Sequence, residues 1–140
     1  MTTIYKTQAT AVAGRNGQVK TNDGLLELEL AYPKEMGGTG SATNPEQLFA
    51  AGYSACFSSA IQHVAREDQM DIEPAPVTAE IGIGPNNDGG FALTVSLAVE
   101  LNMSQEEALK LTRRAHQVCP YSNAVRGNIN VAVTVNGEAI

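Results

Sequence analysis

Two cysteines, Cys56 and Cys119, are the residues best suited to covalent chemistry in this chain. They stand 63 positions apart, so only tertiary structure can bring them together. Their local settings are alike. Gly52 can interrupt a helix and let Ser54 cap a new segment, with Cys56 in its first turn. Cys119 precedes Pro120, a favoured first helical residue, and so suits a helix N-cap. A thiol at a helix N-terminus feels the positive end of the dipole and free N–H donors, which lower its pKa and raise its thiolate fraction. The alternative is that both are small buried hydrophobes, a common fate of free cysteine. Local sequence leaves both readings open.

Charge beside a thiol would separate them. The chain has nine basic residues, and Arg15 sits just before a turn between two strands, where its side chain can reach across to a helix. Glu46 lies ten residues before Cys56. On one straight helix that means a rise of about 15 Å and an offset of about 80°, so the carboxylate cannot serve the sulfur directly. It can anchor an arginine, because a guanidinium grips a carboxylate in bidentate fashion while stabilising an adjacent thiolate. A solvated arginine and a helix-start glutamate are the plainer alternatives. His63 and His116 raise a zinc reading, since two Cys and two His match that ion's ligand types. Cys56 and His63 lie two turns apart, about 10 Å, too far to chelate one ion together. No nucleophile elbow marks a Ser-His-Asp site.

The elements that must position these groups read as one domain, residues 1–140. Ile4–Val12, Gln18–Asn22 and Leu25–Tyr32 read as strands, with turns at Asn16-Gly17 and Asp23-Gly24. LLELELAY alternates, so one face should be buried and the other wet. The Gly-rich connector Pro33–Thr43 carries no phosphate-loop pattern. Asn44 and Pro45 open a helix running to Arg66, apolar or small on every side and hence expected in the middle of the fold. Val77–Gly84 and Phe91–Leu101 follow as strands around a PNNDGG turn. Ser104 with Glu107 forms a capping box for a second helix, and Asn128–Val135 is the last strand. The pattern is α+β: about six strands in mainly antiparallel sheets around a long central helix.

Composition narrows the partners. The chain carries a net charge of −6, which argues against nucleic acid or an anionic membrane as the main partner. No apolar run approaches a membrane span and the N-terminus lacks a signal-peptide core. A cytoplasmic setting is expected, and there a permanent structural disulfide is not.

Two stretches, TNPEQLFAAGYSACF (43–57) and VCPYSNAVRGNI (118–129), resemble the organic hydroperoxide resistance proteins, the Ohr branch of the Ohr/OsmC peroxidases. The AGRNG hairpin and the strand order support the likeness over essentially the whole chain. By position, Cys56 resembles the peroxidatic cysteine and Cys119 the resolving cysteine that forms a disulfide with it. Arg15 matches the thiolate-activating arginine, and Glu46 the carboxylate that orients it. The resemblance implies an OsmC-like fold, an intertwined homodimer with its two active sites at the interface, and no bound cofactor or metal. It also implies reduction by dihydrolipoyl groups on a lipoylated carrier protein. Met36, Phe49, Tyr53 and Phe57 place bulky apolar groups around the thiol in sequence. Such a pocket would favour alkyl or fatty-acyl hydroperoxides, since burying an alkyl tail contributes about 0.8 kcal/mol per methylene.

Overall fold

A computed structural model describes all residues, Met1–Ile140. They form two compact units, Met1–Leu48 and Phe49–Ile140. The first is a meander of β1 (Ala9–Val12), β2 (Gln18–Thr21) and β3 (Glu27–Glu29), antiparallel in that order. The strands are shorter than their patterning suggests. β2 has only four residues, so β1 finds partners from Ala9 onward and Ile4 and Tyr5 stay exposed. The expected buried face of β3, Leu26, Leu28 and Leu30, is only partly covered within this chain: Leu30 is buried, Leu26 half-buried and Leu28 exposed, and Leu25 beside it is exposed as well.

The first turn is wider than Asn16-Gly17 alone. Val12 pairs with Gln18, leaving Ala13–Gly17 as a five-residue loop with a 3₁₀ turn at Gly14–Asn16. Gly17 is required by close approach, because a Cβ there would lie 1.7 Å from the Val12 carbonyl oxygen. Arg15 therefore sits at the centre of a tightly folded loop. The second turn is held by Asp23, whose Oδ1 accepts from the Leu25 N–H at 3.0 Å and the Thr21 hydroxyl at 2.7 Å.

Helix α1 (Pro45–Glu67) begins as its sequence signals: Asn44 Oδ1 accepts from the Gln47 N–H at 2.9 Å, with Pro45 at the first helical position. It is unbroken over its 23 residues. Ser54 caps nothing; its hydroxyl donates to the Ala51 carbonyl one turn back. Burial falls on one stripe, Tyr53, Phe57, Ala60, Ile61, Val64 and Ala65, while Ala51, Ala55 and Ser59 are exposed.

The second unit adds a four-stranded sheet of β4 (Val77–Pro85), β5 (Phe91–Val99), β6 (Val131–Val135) and β7 (Glu138–Ala139), in that order. Seven strands thus stand where about six were expected. β5 and β6 run parallel, with Val95 opposite Val131. The two intervening helices make the crossover that a parallel pair needs. These are α2 (Gln105–Val118) and α3 (Pro120–Val125). The capping box forms: Ser104 Oγ accepts from the Glu107 N–H and donates to its carboxylate at 2.7 Å. Leu97, Val99, Val133 and Val135 of the sheet meet the α1 stripe and Ala108, Leu111 and Ala115 of α2 in one core.

Candidate active site

The fold brings the two thiols together. Cys119 Sγ lies 3.8 Å from Cys56 Sγ, and both are free. Cys56 is half-buried on α1, one turn beyond Gly52. Cys119 is fully buried at the joint between α2 and α3, where it is both the C-cap of one and the N-cap of the next. Pro120 at the first helical position explains this local choice, since proline cannot continue α2 but is pre-shaped to start α3. The expected N-cap position of Cys119 is therefore observed. That of Cys56 is not: with α1 continuous at Gly52, its sulfur has no helix start of its own.

Gly52 serves another purpose. A Cβ at this position would lie 2.8 Å from Tyr121 Oη and 3.2 Å from its Cε2, so the missing side chain lets that ring rest on the helix. Tyr121 joins Phe49 and Tyr53 in an aromatic triad, with ring centroids 5.6 to 6.2 Å apart. Sequence inspection missed Tyr121, although it directly follows the Cys-Pro pair.

Burial pushes the Cys56 thiol above its ordinary pKa. The backbone N–H of Tyr121, in the first turn of α3, pulls it back, and the neighbouring Cys119 sulfur pushes it further up. The N–H donor imagined for Cys56 is thus supplied by α3 rather than by α1. No cation figures among these influences.

In the first unit, Arg15 and Glu46 form a bidentate pair, Nη1 to Oε2 at 2.6 Å and Nη2 to Oε1 at 2.5 Å. The arginine holds the Glu46 carboxyl below its ordinary pKa. The guanidinium also lies 5.9 Å from the Tyr32 ring centroid, within cation–π range. The partnership expected between these two residues, 31 positions apart, is present.

The remaining candidates divide. Tyr53 and Phe57 are fully buried core residues, Phe49 is partly buried against the same core, and Met36 is 39% exposed in the 3₁₀ turn Lys34–Met36 of the first unit. His63 is exposed and lies 3.3 Å from Glu67. His116 turns inward to Ser122, its Nδ1 2.9 Å from Oγ. The structure gathers no group of three or more His, Cys, Asp or Glu side chains around a common point.

A family model described as OsmC-like protein matches residues 38–134. The chain belongs to the OsmC-like family. It is 44% identical over 135 residues to the organic hydroperoxide resistance protein of Xanthomonas axonopodis pv. citri (strain 306), covering 94% of each. Among solved structures, it matches a Vibrio cholerae chain provisionally named an organic hydroperoxide resistance protein and solved with captopril bound in one of the active sites. The TM-score is 0.98 at 66% identity, over 100% of this chain and 97% of that one. The organic hydroperoxide resistance protein OhrB of Bacillus subtilis superposes with a TM-score of 0.87 at 38% identity, over 96% of this chain and 100% of the other. These likenesses extend the family assignment to the Ohr branch. No helix is long and apolar enough to cross a membrane.

Proposed function

We propose that this OsmC-like protein is a cysteine-based peroxidase that reduces organic hydroperoxides to alcohols in response to oxidative stress, in keeping with relatives named for organic hydroperoxide resistance. The observation that carries the reading is the 3.8 Å approach of two free thiols from distant parts of the sequence. The Cys56 thiolate attacks the terminal oxygen of R–O–OH; the O–O bond breaks, an S–O bond forms, and the alkoxide leaves as alcohol after taking a proton. Cys119, as thiolate, then attacks the Cys56 sulfenic sulfur, forming the S–S bond as hydroxide leaves and is protonated to water. The sulfurs need to approach only about 1.8 Å more to reach bonding distance. A dithiol restores both thiols by exchange, with dihydrolipoyl groups on a carrier protein as the reductant in a cytoplasmic setting. Residues 1–140 work as a single peroxidase domain.

Thiolate activation is assigned to Arg15, with Glu46 orienting it. Glu46 and Cys56 lie ten residues apart on one unbroken helix, about 15 Å of rise, and Arg15 is held at the Glu46 end. The arginine of one copy then serves the Cys56 of another, which makes an intertwined homodimer the active form. The uncovered apolar residues Ile4, Tyr5, Leu25 and Leu28 support such an assembly. Of the expected pocket residues, Phe49 and Met36 keep accessible apolar surface for an alkyl or fatty-acyl chain, whereas Tyr53 and Phe57 are fully buried and contribute as core.

The test is turnover of tert-butyl and fatty-acyl hydroperoxides with dihydrolipoamide or glutathione as reductant, using wild type and Cys119→Ser. Wild type should turn over with the lipoyl dithiol. The variant should consume one equivalent and stall as a sulfenic acid. Normal turnover by the variant would remove Cys119 from the mechanism.

A further inference from the structure

One buried chain of polar side chains has no part in the peroxide chemistry above. Tyr53 Oη of α1 lies 2.9 Å from Ser122 Oγ of α3, and Ser122 Oγ lies 2.9 Å from His116 Nδ1 of α2. Each of the three helices contributes one member. Tyr53 and Ser122 are fully inaccessible, while His116 keeps one side toward solvent. Cys119 sits inside this triangle in sequence, three residues after His116 and three before Ser122.

We propose that Tyr53, Ser122 and His116 are positioning residues for the resolving thiol: they hold the α2–α3 joint so that Cys119 can close on Cys56. This rests on the roles given above to the two cysteines. Cys119 Sγ makes no capping bond to the start of α3, so its own side chain does not fix that joint. The hydrogen-bonded chain does so by tying both flanking helices to α1, the helix that carries Cys56. Arg126 reinforces it, donating from Nη2 to the His116 carbonyl at 2.7 Å and from Nη1 to Asn123 Oδ1.

The bonds have a consistent direction. Burial and the Arg126 charge hold His116 below its ordinary pKa, which favours a neutral ring with Nδ1 accepting. Ser122 then donates to His116 and accepts from Tyr53. Burial holds the Tyr53 phenol above its ordinary pKa, so it keeps the proton it donates. A fully satisfied buried network rigidifies its surroundings, whereas breaking one link leaves unpaired groups and a looser joint.

The experiment separates closure from peroxide attack. In single turnover, peroxide consumption reports attack at Cys56, and loss of the dimedone-reactive sulfenic acid reports closure by Cys119. A second route needs no peroxide: an aromatic disulfide releases one coloured thiolate as it loads Cys56 and a second as Cys119 displaces it. Ser122→Ala and His116→Phe should slow closure about threefold to tenfold by both routes, with loading and attack within about twofold of wild type. His116→Asn, whose amide oxygen can replace Nδ1 as acceptor, should restore closure. Wild-type closure rates in Ser122→Ala and His116→Phe would overturn the inference, as would equal slowing of attack and closure. Should Ser122→Ala fail to fold, the comparison of His116→Phe with His116→Asn removes and restores the same link and carries the same test. A wild type that closes with the aromatic disulfide but never turns over peroxide would sink the peroxidase reading while leaving the closure comparison intact.

Discussion

Gly52→Ala separates the stability of α1 from the shape of the surface beside the thiols. Replacing a glycine inside a helix by alanine normally stabilises by about 1 kcal/mol. Here the added methyl would lie 2.8 Å from Tyr121 Oη, 3.2 Å from Cε2 and 3.3 Å from Cζ. Carbon atoms prefer about 3.5 to 4.0 Å, so the ring must retreat by roughly half an ångström or more. Tyr121 is 39% exposed, and a side chain with that freedom yields more easily than the backbone of α3. Its retreat weakens the pairs with Phe49 and Tyr53, each worth about 0.5 to 1.5 kcal/mol. Gain and loss nearly cancel, so urea unfolding should place the variant within about 1 kcal/mol of wild type. Peroxidase kinetics should show a several-fold higher KM for a bulky alkyl hydroperoxide, because the aromatic surface has moved, and little change for hydrogen peroxide. Tyr121→Ala added to Gly52→Ala should cost less than Tyr121→Ala alone, since the ring has already given way. A loss of more than about 2 kcal/mol would mean that α3 moved instead of the ring. An unchanged KM across hydroperoxides would refute the link between the triad and substrate.

The other predictions are simpler. Arg15→Ala should raise the Cys56 pKa, read by the pH dependence of alkylation in Cys119→Ser, and should slow peroxide attack strongly while the fold persists; equal pKa values with and without the arginine would remove it from the mechanism. Because Arg15 holds the Glu46 carboxyl below its ordinary pKa, the contribution of Glu46 to stability is complete above the unfolded carboxylate's pKa, about 4.3, and is lost as pH falls through the lower folded value. Acid unfolding of Glu46→Gln should lack that component. His116 also titrates low, so its contribution is complete above about 6.5 and is lost as pH falls toward the folded value. His116→Asn should flatten that part of the stability profile. Ser104→Ala removes the capping box of α2 and should cost about 1 kcal/mol in denaturant unfolding without altering the thiols.

Features governed by a few neighbouring residues were legible in the sequence. Asn44 with Pro45, Ser104 with Glu107, and Cys119 with Pro120 each carry a capping preference that works within one turn, and each forms as read. The pairing of Arg15 with Glu46 was weak on spacing alone and came from the likeness of the motifs to the Ohr pattern; its bidentate geometry belongs to the fold. Gly52 shows where such reasoning stops. Glycine inside an apolar run is equally consistent with a helix break and with close approach of another element, and only the position of Tyr121 separates them. The hydrogen-bonded chain from Tyr53 to His116 was hidden for a similar reason: its first link joins residues 69 positions apart. The parallel pairing of β5 and β6 depends on how α2 and α3 cross over, which strand patterning does not encode.

Within a single chain, the surroundings of Cys56 act against its proposed role as a nucleophile. Burial and the second sulfur both disfavour the thiolate, and one backbone N–H from α3 is the opposing influence. A peroxidatic thiol must ionise readily near neutral pH, so a further positive charge is needed. The paired guanidinium of Arg15 is suited to that task because it is always charged and already oriented, with donors to spare beyond the two spent on Glu46. Its anchoring carboxylate stands about three helical turns before the thiol of its own helix, so in the proposed mechanism the arginine serves the thiol of another copy. On the proposed reading, thiolate activation depends on assembly. In the proposed homodimer, a second chain would cover the apolar residues left exposed in the first unit and supply the positive charge that Cys56 lacks.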